Sequence, residues 1–311
     1  MIATVTLNPS LDEWIHLPSL KIGCLNRASG FVRYPGGKGL NVSRVVHELG
    51  GRTIAFALAG GADGAILRQL TRRLSIPHDF IEVGGSTRNN YKIRTSRPRA
   101  LTEINTEGPP VSRASLRLLE QHLFSLPAPR CLVLSGSLPP GVPATIYQRW
   151  IRLFRQRRIP TVLDTSGRAL ALGVAARPWL IKPNRQEVEE LLQRRLTSMH
   201  RLIRAAHTLL QRGITLVIIS LGSEGALLAC ANPREMWLAH PPAIRVDSAV
   251  GAGDSLVGGF LSAWVKGRSL VEAFRLGVAG GTAAAMTPGT ELCHAVDVKR
   301  LLPRVKVRRL E

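Results

Sequence analysis

Residues 247–259 read Asp-Ser-Ala-Val-Gly-Ala-Gly-Asp-Ser-Leu-Val-Gly-Gly, and they carry the densest chemistry in the chain. Gly251 and Gly253 have no Cβ, so the backbone there can turn tightly and approach a ligand closely. The small, apolar run from Ser255 to Lys266 predicts a buried helix. The glycines then sit at a helix N-terminus, where free amides and the helix dipole favour an anion. Asp254 stands at the same mouth and has two readings: a helix cap, or a base facing a phosphate. The second is what phosphoryl transfer to an alcohol requires. The spacing is not a dinucleotide fingerprint, because the third glycine falls at 258.

Pro35-Gly36-Gly37-Lys38-Gly39-Leu40-Asn41 is a second glycine-rich turn, feeding a helix with apolar positions at 42, 45, 46 and 49. It lacks the Ser/Thr after the lysine and the upstream glycine of a P-loop. Gly37, Lys38 and Asn41 suit sugar hydroxyls or a phosphate; the alternative is a plain strand-to-helix turn. Asp12 follows the first apolar run, at 2–8. Asn184 and Glu187 lie three apart on one helix face, with Asp164 ending an earlier strand. Magnesium takes few protein oxygens and many from water and phosphate, so these three suit it. Asn184 with Glu187 also spells a capping box, and spacing alone favours the cap.

The elements that must position these residues follow from the apolar patterning. Strands are expected at 2–8, 53–60, 79–83, 131–136, 161–164, 180–184 and 216–220. Helices are expected near 42–49, 64–74, 112–124, 144–157, 185–192 and 269–286, with a hairpin in 226–246. Such alternation predicts a doubly wound, mostly parallel α/β sheet with helices on both faces. Asp12, Asn41, Asp164, Asn184, Gly222 and Asp254 would then converge on the sheet's C-terminal edge, where such folds bind ligands. Short alternating runs at 13–33 suggest a small antiparallel piece outside that sheet. With 87–107 they read as two halves of a β lid on one 1–311 domain.

Composition narrows the function classes. A hydrophobic fraction of 45% supports a sizeable core, and no apolar run reaches the length of a membrane span. Met1 to Leu7 reads as a strand and not as a signal peptide. The four cysteines are far apart, which suggests neither a zinc site nor a disulfide framework and fits the cytoplasm. The formal charge is +21, with arginine clusters at 94–99, 152–158, 194–204 and 304–309. Such a field attracts polyanions and phosphorylated metabolites alike. With only 5% aromatic residues there is no stacking platform, so a solvated arginine-rich surface is favoured over specific nucleic-acid binding.

Taken together, Thr6-Leu7-Asn8-Pro9, Pro35 to Val42, Ser135-Gly136-Ser137-Leu138-Pro139, Lys182-Pro183-Asn184 with Glu187, and Val250 to Ser255 closely resemble the ribokinase-like, or PfkB, family of carbohydrate kinases, in its hexose-phosphate branch. The resemblance runs nearly end to end, to Gly289-Thr290. It implies ATP- and magnesium-dependent phosphoryl transfer to a ketohexose phosphate. Asp254 would be the base, and the amides of Gly251, Ala252 and Gly253 the anion hole. Asp12, Gly37, Lys38, Asn41 and Ser137 would line the sugar pocket, with Arg27 and Arg88 clamping the phosphate already on the sugar. Lys182, Asn184, Ser220, Gly222 and Gly225 would hold the nucleotide, and Glu187, Asn184 and Asp164 the magnesium. The lid would clasp a second subunit. Thr102 to Asn105 is similar to members acting on fructose 1-phosphate or tagatose 6-phosphate, and Gly289 to Cys293 to those acting on fructose 6-phosphate. The expectation taken is fructose 1-phosphate. Residues 282–288 are small or apolar where the family places polar adenine-pocket residues.

Overall fold

The computed structural model describes residues 1–310. In chain order the first half comprises β1 (Ile2–Thr6), β2 (Ser10–Leu17), β3 (Gly30–Gly36), α1 (Lys38–Glu48), β4 (Thr53–Ala59), α2 (Gly61–Arg73), β5 (His78–Glu82), β6 (Arg88–Ser96), β7 (Arg99–Asn105), α3 (Arg113–Ser125), β8 (Cys131–Ser135) and α4 (Ile146–Gln156). The second half comprises β9 (Thr161–Asp164), α5 (Gly167–Val174), β10 (Leu180–Ile181), α6 (Arg185–Leu192), α7 (Met199–Gln211), β11 (Leu216–Ser220), β12 (Ala226–Ala231), β13 (Arg234–His240), α8 (Ala252–Trp264), α9 (Leu270–Met286), α10 (Ala295–Leu301) and β14 (Lys306–Arg309).

Ten strands form one sheet in the order β14-β13-β12-β11-β10-β9-β8-β1-β4-β5. From β5 to β11 every pairing is parallel; β12, β13 and β14 extend the edge antiparallel. β1 and β8 are buried along their whole length, as strands covered on both faces must be. Helices α3 to α7 cover one face and α1, α8, α9 and α10 the other. The chain moves from β1 outward through β4 to β5, then crosses back to place β8 on β1's other side. That reversal opens a crevice at the strand ends, where Thr6, Ser135, Asp164 and Ser220 stand.

Helix α8 sits unusually deep. A Cβ on Gly258 would stand 2.7 Å from the Cβ of Val45 on α1, and one on Gly259 would stand 2.9 Å from the carbonyl of Leu276 on α9. Only residues without side chains allow this approach. The consequence is functional: the first turn of α8, with Asp254, is wedged between α1 and α9 and cannot drift.

The lid is a four-stranded sheet, β3-β2-β6-β7. Pairing of β2 with β6 joins the stretches expected at 13–33 and 87–107, but that pairing is parallel, so the lid is two antiparallel hairpins fused along a parallel seam. Helices α5, α7 and α10 and strand β14 were not expected from the sequence. The pattern at 202, 205, 206 and 209 is nevertheless a clear helical stripe, and those residues are buried. β14 exists only through its pairing with β13 and has no local signal of its own.

Candidate active site

Gly251 is the N-cap of α8, at φ 80°, and a Cβ there would lie 2.3 Å from Leu292 Cδ2. The residue must therefore be glycine on both counts. No side chain caps this helix. The amides of Gly251, Gly253 and Asp254 donate to no acceptor among the described residues. They form an open donor nest at the positive end of a helix dipole.

Asp254 lies inside that first turn, 6% exposed. Its Oδ2 accepts a hydrogen bond of 2.8 Å from Asn41 Nδ2 on α1. Burial pushes its carboxyl up to about 6, against the downward pull of Lys38 and with the charge of Asp164 adding to the rise. Two lysines converge on Asp164 at the end of β9: Lys38 Nζ at 3.1 Å and Lys182 Nζ at 3.4 Å from Oδ1. Burial raises the Asp164 carboxyl, but Lys182 and Lys38 outweigh it and hold it below the usual carboxylate range. Asp164 in turn drives Lys38 above the usual lysine range. The Lys38 ammonium is thus held charged, and Lys182 Nζ comes within 3.3 Å of where a Cβ on Gly253 would stand. The other oxygen, Asp164 Oδ2, is buried without a hydrogen-bond partner.

On the lid side, Asp12 Oδ1 accepts hydrogen bonds from Ser10 Oγ (3.0 Å) and Asn90 Nδ2 (3.1 Å). Arg88 donates to the carbonyl of Asn8 at 3.2 Å and to Asn90 Oδ1 at 3.0 Å, and Asn8 Nδ2 reaches Ser137 Oγ at 3.0 Å. Asn8, Arg88 and Ser137 line one cleft of about 510 Å³ between the lid and the main sheet. Gly37 caps α1 beside them at φ 119°. Arg27 is not brought in: it lies in the exposed segment between β2 and β3, and its guanidinium has no partner among the described residues.

Toward β11, Asn184 forms a parallel bridge with Ser220. A single 3₁₀ turn, Gly222–Glu224, follows, closed by Gly225. Asn184 Oδ1 accepts from the Glu187 amide and Glu187 Oε2 from the Asn184 amide, each at 2.8 Å, so the capping box is fully formed. Among the described residues no three His, Cys, Asp or Glu side chains gather as a metal cluster.

Two functional residues were missed. Arg44 is buried and donates to the carbonyls of Pro35 (3.0 Å) and Thr290 (2.9 Å) and to Asn41 Oδ1 (3.2 Å). Burial lowers its guanidinium to about 10. It orients Asn41, and through Asn41 the catalytic-candidate carboxylate. Its signal was available, since position 44 lies one turn after Asn41 on the same helix face. Asn90, two residues after Arg88 on one strand face, bridges Arg88 and Asp12; it was legible only as part of a polar cluster.

A family model described as pfkB family carbohydrate kinase matches residues 5–296. The 1-phosphofructokinase of Bacillus subtilis (strain 168) is 38% identical over 312 residues, covering 100% of both chains. The ATP-dependent 6-phosphofructokinase isozyme 2 of Mycobacterium tuberculosis (strain H37Rv) is 36% identical, over 96% of this chain and 88% of that one. Phosphofructokinase-2 from Escherichia coli, solved in complex with substrates and products, superposes with a TM-score of 0.93 at 33% identity, over 97% of this chain and 98% of that one. The chain belongs to the pfkB family of carbohydrate kinases.

Proposed function

We propose that the protein transfers the γ-phosphoryl group of ATP to a ketohexose phosphate, with fructose 1-phosphate giving fructose 1,6-bisphosphate. Asp254 carries this reading: it is a buried carboxylate of raised proton affinity, ionised at neutral pH and set behind unpartnered amides. Asp254 orients the acceptor hydroxyl and takes its proton as the phosphorus–oxygen bond forms. The amides of Gly251 and Gly253 receive the equatorial oxygens of the transferred group, the expected third donor, Ala252, being turned to the carbonyl of Ala249 at 3.3 Å, and ADP leaves from the opposite side. Lys38 and Lys182, fixed by Asp164, offset the negative charge that spreads over the phosphates.

Asp12, Gly37, Lys38, Asn41 and Ser137 hold the sugar, and Arg88 clamps its resident phosphate. Asn184, Ser220, Gly222 and Gly225 line the nucleotide side with Lys182. The donor set fits magnesium carried in on the phosphates: Glu187 commits only Oε2 to its cap, Asn184 is exposed, and Asp164 Oδ2 is unpartnered. Such an ion keeps most of its water and supplies charge neutralisation at the phosphates.

The lid presents Ile22 (95% exposed), Leu25 (78%), Phe31 (52%) and Ile104 (51%), an apolar face that supports pairing with a second copy. The four cysteines are free and three are buried, which supports a reducing cytoplasm. No described helix is long and apolar enough to cross a membrane.

The relatives include enzymes named for either fructose phosphate, so the test is a substrate panel. ADP release is followed with ATP, magnesium and fructose 1-phosphate, fructose 6-phosphate or tagatose 6-phosphate. We expect the highest kcat/KM with fructose 1-phosphate, and Arg88→Ala to raise KM for the sugar phosphate. A clear preference for fructose 6-phosphate would reassign the acceptor, and turnover of none would overturn the reading.

A further inference from the structure

The arginine run at 194–204 plays no part in the site above. It folds into the turn between α6 and α7. Gln193 adopts a left-handed conformation (φ 51°) and closes α6, and buried Leu196 anchors the chain beyond it. Arg194 and Arg195 from the turn and Arg201 and Arg204 from α7 then line one cleft of about 390 Å³, with Leu192 and Leu196 in its wall. This volume lies within the roughly 300–1,000 Å³ of small-molecule sites.

The charge in this cleft is almost uncompensated. Among the described residues, Arg195 alone reaches a carboxylate, Glu189 Oε2, at 3.4 Å; the same Glu189 accepts the Leu196 amide at 2.6 Å through Oε1. Among the described residues, the guanidinium groups of Arg194, Arg201 and Arg204 have no hydrogen bond or ion pair. Arginine-rich surface elsewhere on the same side of the sheet is scattered over α3 and α4, whereas here four guanidinium groups share one concavity. Four like charges held together repel one another, and an anion of matching charge removes that cost. A single carboxylate is too small a charge. Terminal phosphates carry about −1.5 to −2 each and accept the forked guanidinium bidentately.

We propose that this cleft is a second anion site, separate from the active site, that takes a di- or triphosphate group. It stands at the far end of α6 from Asn184, about 12 Å along the helix at 1.5 Å per residue.

The test is calorimetric titration of the full chain with sodium tripolyphosphate, the active site being filled beforehand with a saturating non-hydrolysable ATP analogue and magnesium. We expect one saturable event per chain. Arg201→Gln with Arg204→Gln should weaken it at least about tenfold, since each charged hydrogen bond is worth about 1.5–3 kcal/mol and tenfold is about 1.4. Arg152→Gln with Arg155→Gln removes the same charge from α4, outside the cleft, and should leave affinity within about threefold. Kinase turnover at low anion concentration should be unchanged in both. A parallel titration with cytidine triphosphate identifies the source: tighter binding than tripolyphosphate points to a nucleotide, equal binding to inorganic polyphosphate. No binding to the filled enzyme, or equal weakening by the two double variants, overturns the proposal.

Discussion

Replacing Asp254 by asparagine turns a buried carboxylate into a neutral amide of nearly the same shape. Burial pushes the carboxyl from its ordinary 3.8 up to about 6, so it binds its proton more tightly in the fold than in the unfolded chain. Ionisation of Asp254 therefore opposes folding, fully above about pH 6 and hardly at all below about pH 4. A rise of roughly two units, at about 1.36 kcal/mol each, makes that cost about 3 kcal/mol at about pH 8 and leaves about 0.5 kcal/mol at about pH 4. Asp254→Asn should gain stability over the wild type, by about 2 kcal/mol or more at the higher pH relative to the lower. It should also lose about 10²–10⁴ in kcat, the usual worth of a general base. Urea denaturation at the two pH values and an ADP-release assay near pH 8 measure both. A stability difference independent of pH would refute the burial argument, and a rate within tenfold of wild type would refute the base role. In the wild type, kcat/KM should fall as pH drops through about 6 and Asp254 becomes protonated.

Gly253→Ala keeps an ordinary helical backbone but places its Cβ 3.3 Å from Lys182 Nζ, so kcat should fall at unchanged thermal stability. Gly251→Ala, strained at φ 80° and against Leu292, should lower both; identical behaviour of the two would refute the assignment. Lys182→Met leaves buried Asp164 with Lys38 alone and should cost about 3 kcal/mol in chemical denaturation, a loss below about 1 contradicting the buried pair. Leu25→Asp with Phe31→Asp should convert a dimer to a monomer by light scattering, and an unchanged mass would exclude the lid as the interface.

The parallel sheet was legible because its strands are continuous apolar runs such as 131–135 and 216–220, bounded by glycine, proline and polar turns. The convergence of Asn41, Asp164 and Asp254 followed from that topology. What the sequence withheld were facts created by tertiary packing. A lysine's partner is chosen across the sheet, so Lys38 and Lys182 sharing Asp164 spans 126 residues in one case and 18 in the other, with no local trace. Arg44 shares a helix face with Asn41, but its burial is created from outside the helix by the carbonyls of Pro35 and Thr290, which close over its guanidinium. The parallel β2–β6 seam was hidden because each lid half taken alone reads as a hairpin.

Two helix mouths with the same sequence logic came out differently, and the difference is physical. Asn184 with Glu187, and Gly251 with Asp254, each set an acidic side chain three residues after a potential N-cap. At α6 the N-cap has a side chain, so Asn184 and Glu187 satisfy each other's amides and the helix end is closed. At α8 the N-cap is glycine, which offers no acceptor, and Asp254 is turned away to Asn41. The amides of Gly251, Gly253 and Asp254 are consequently left as donors at a half-buried helix mouth, with no acceptor among the described residues. Such a site is stabilised by the anion that fills it. The identity of one residue, the N-cap, thus separates a helix end that completes itself from one that stays open.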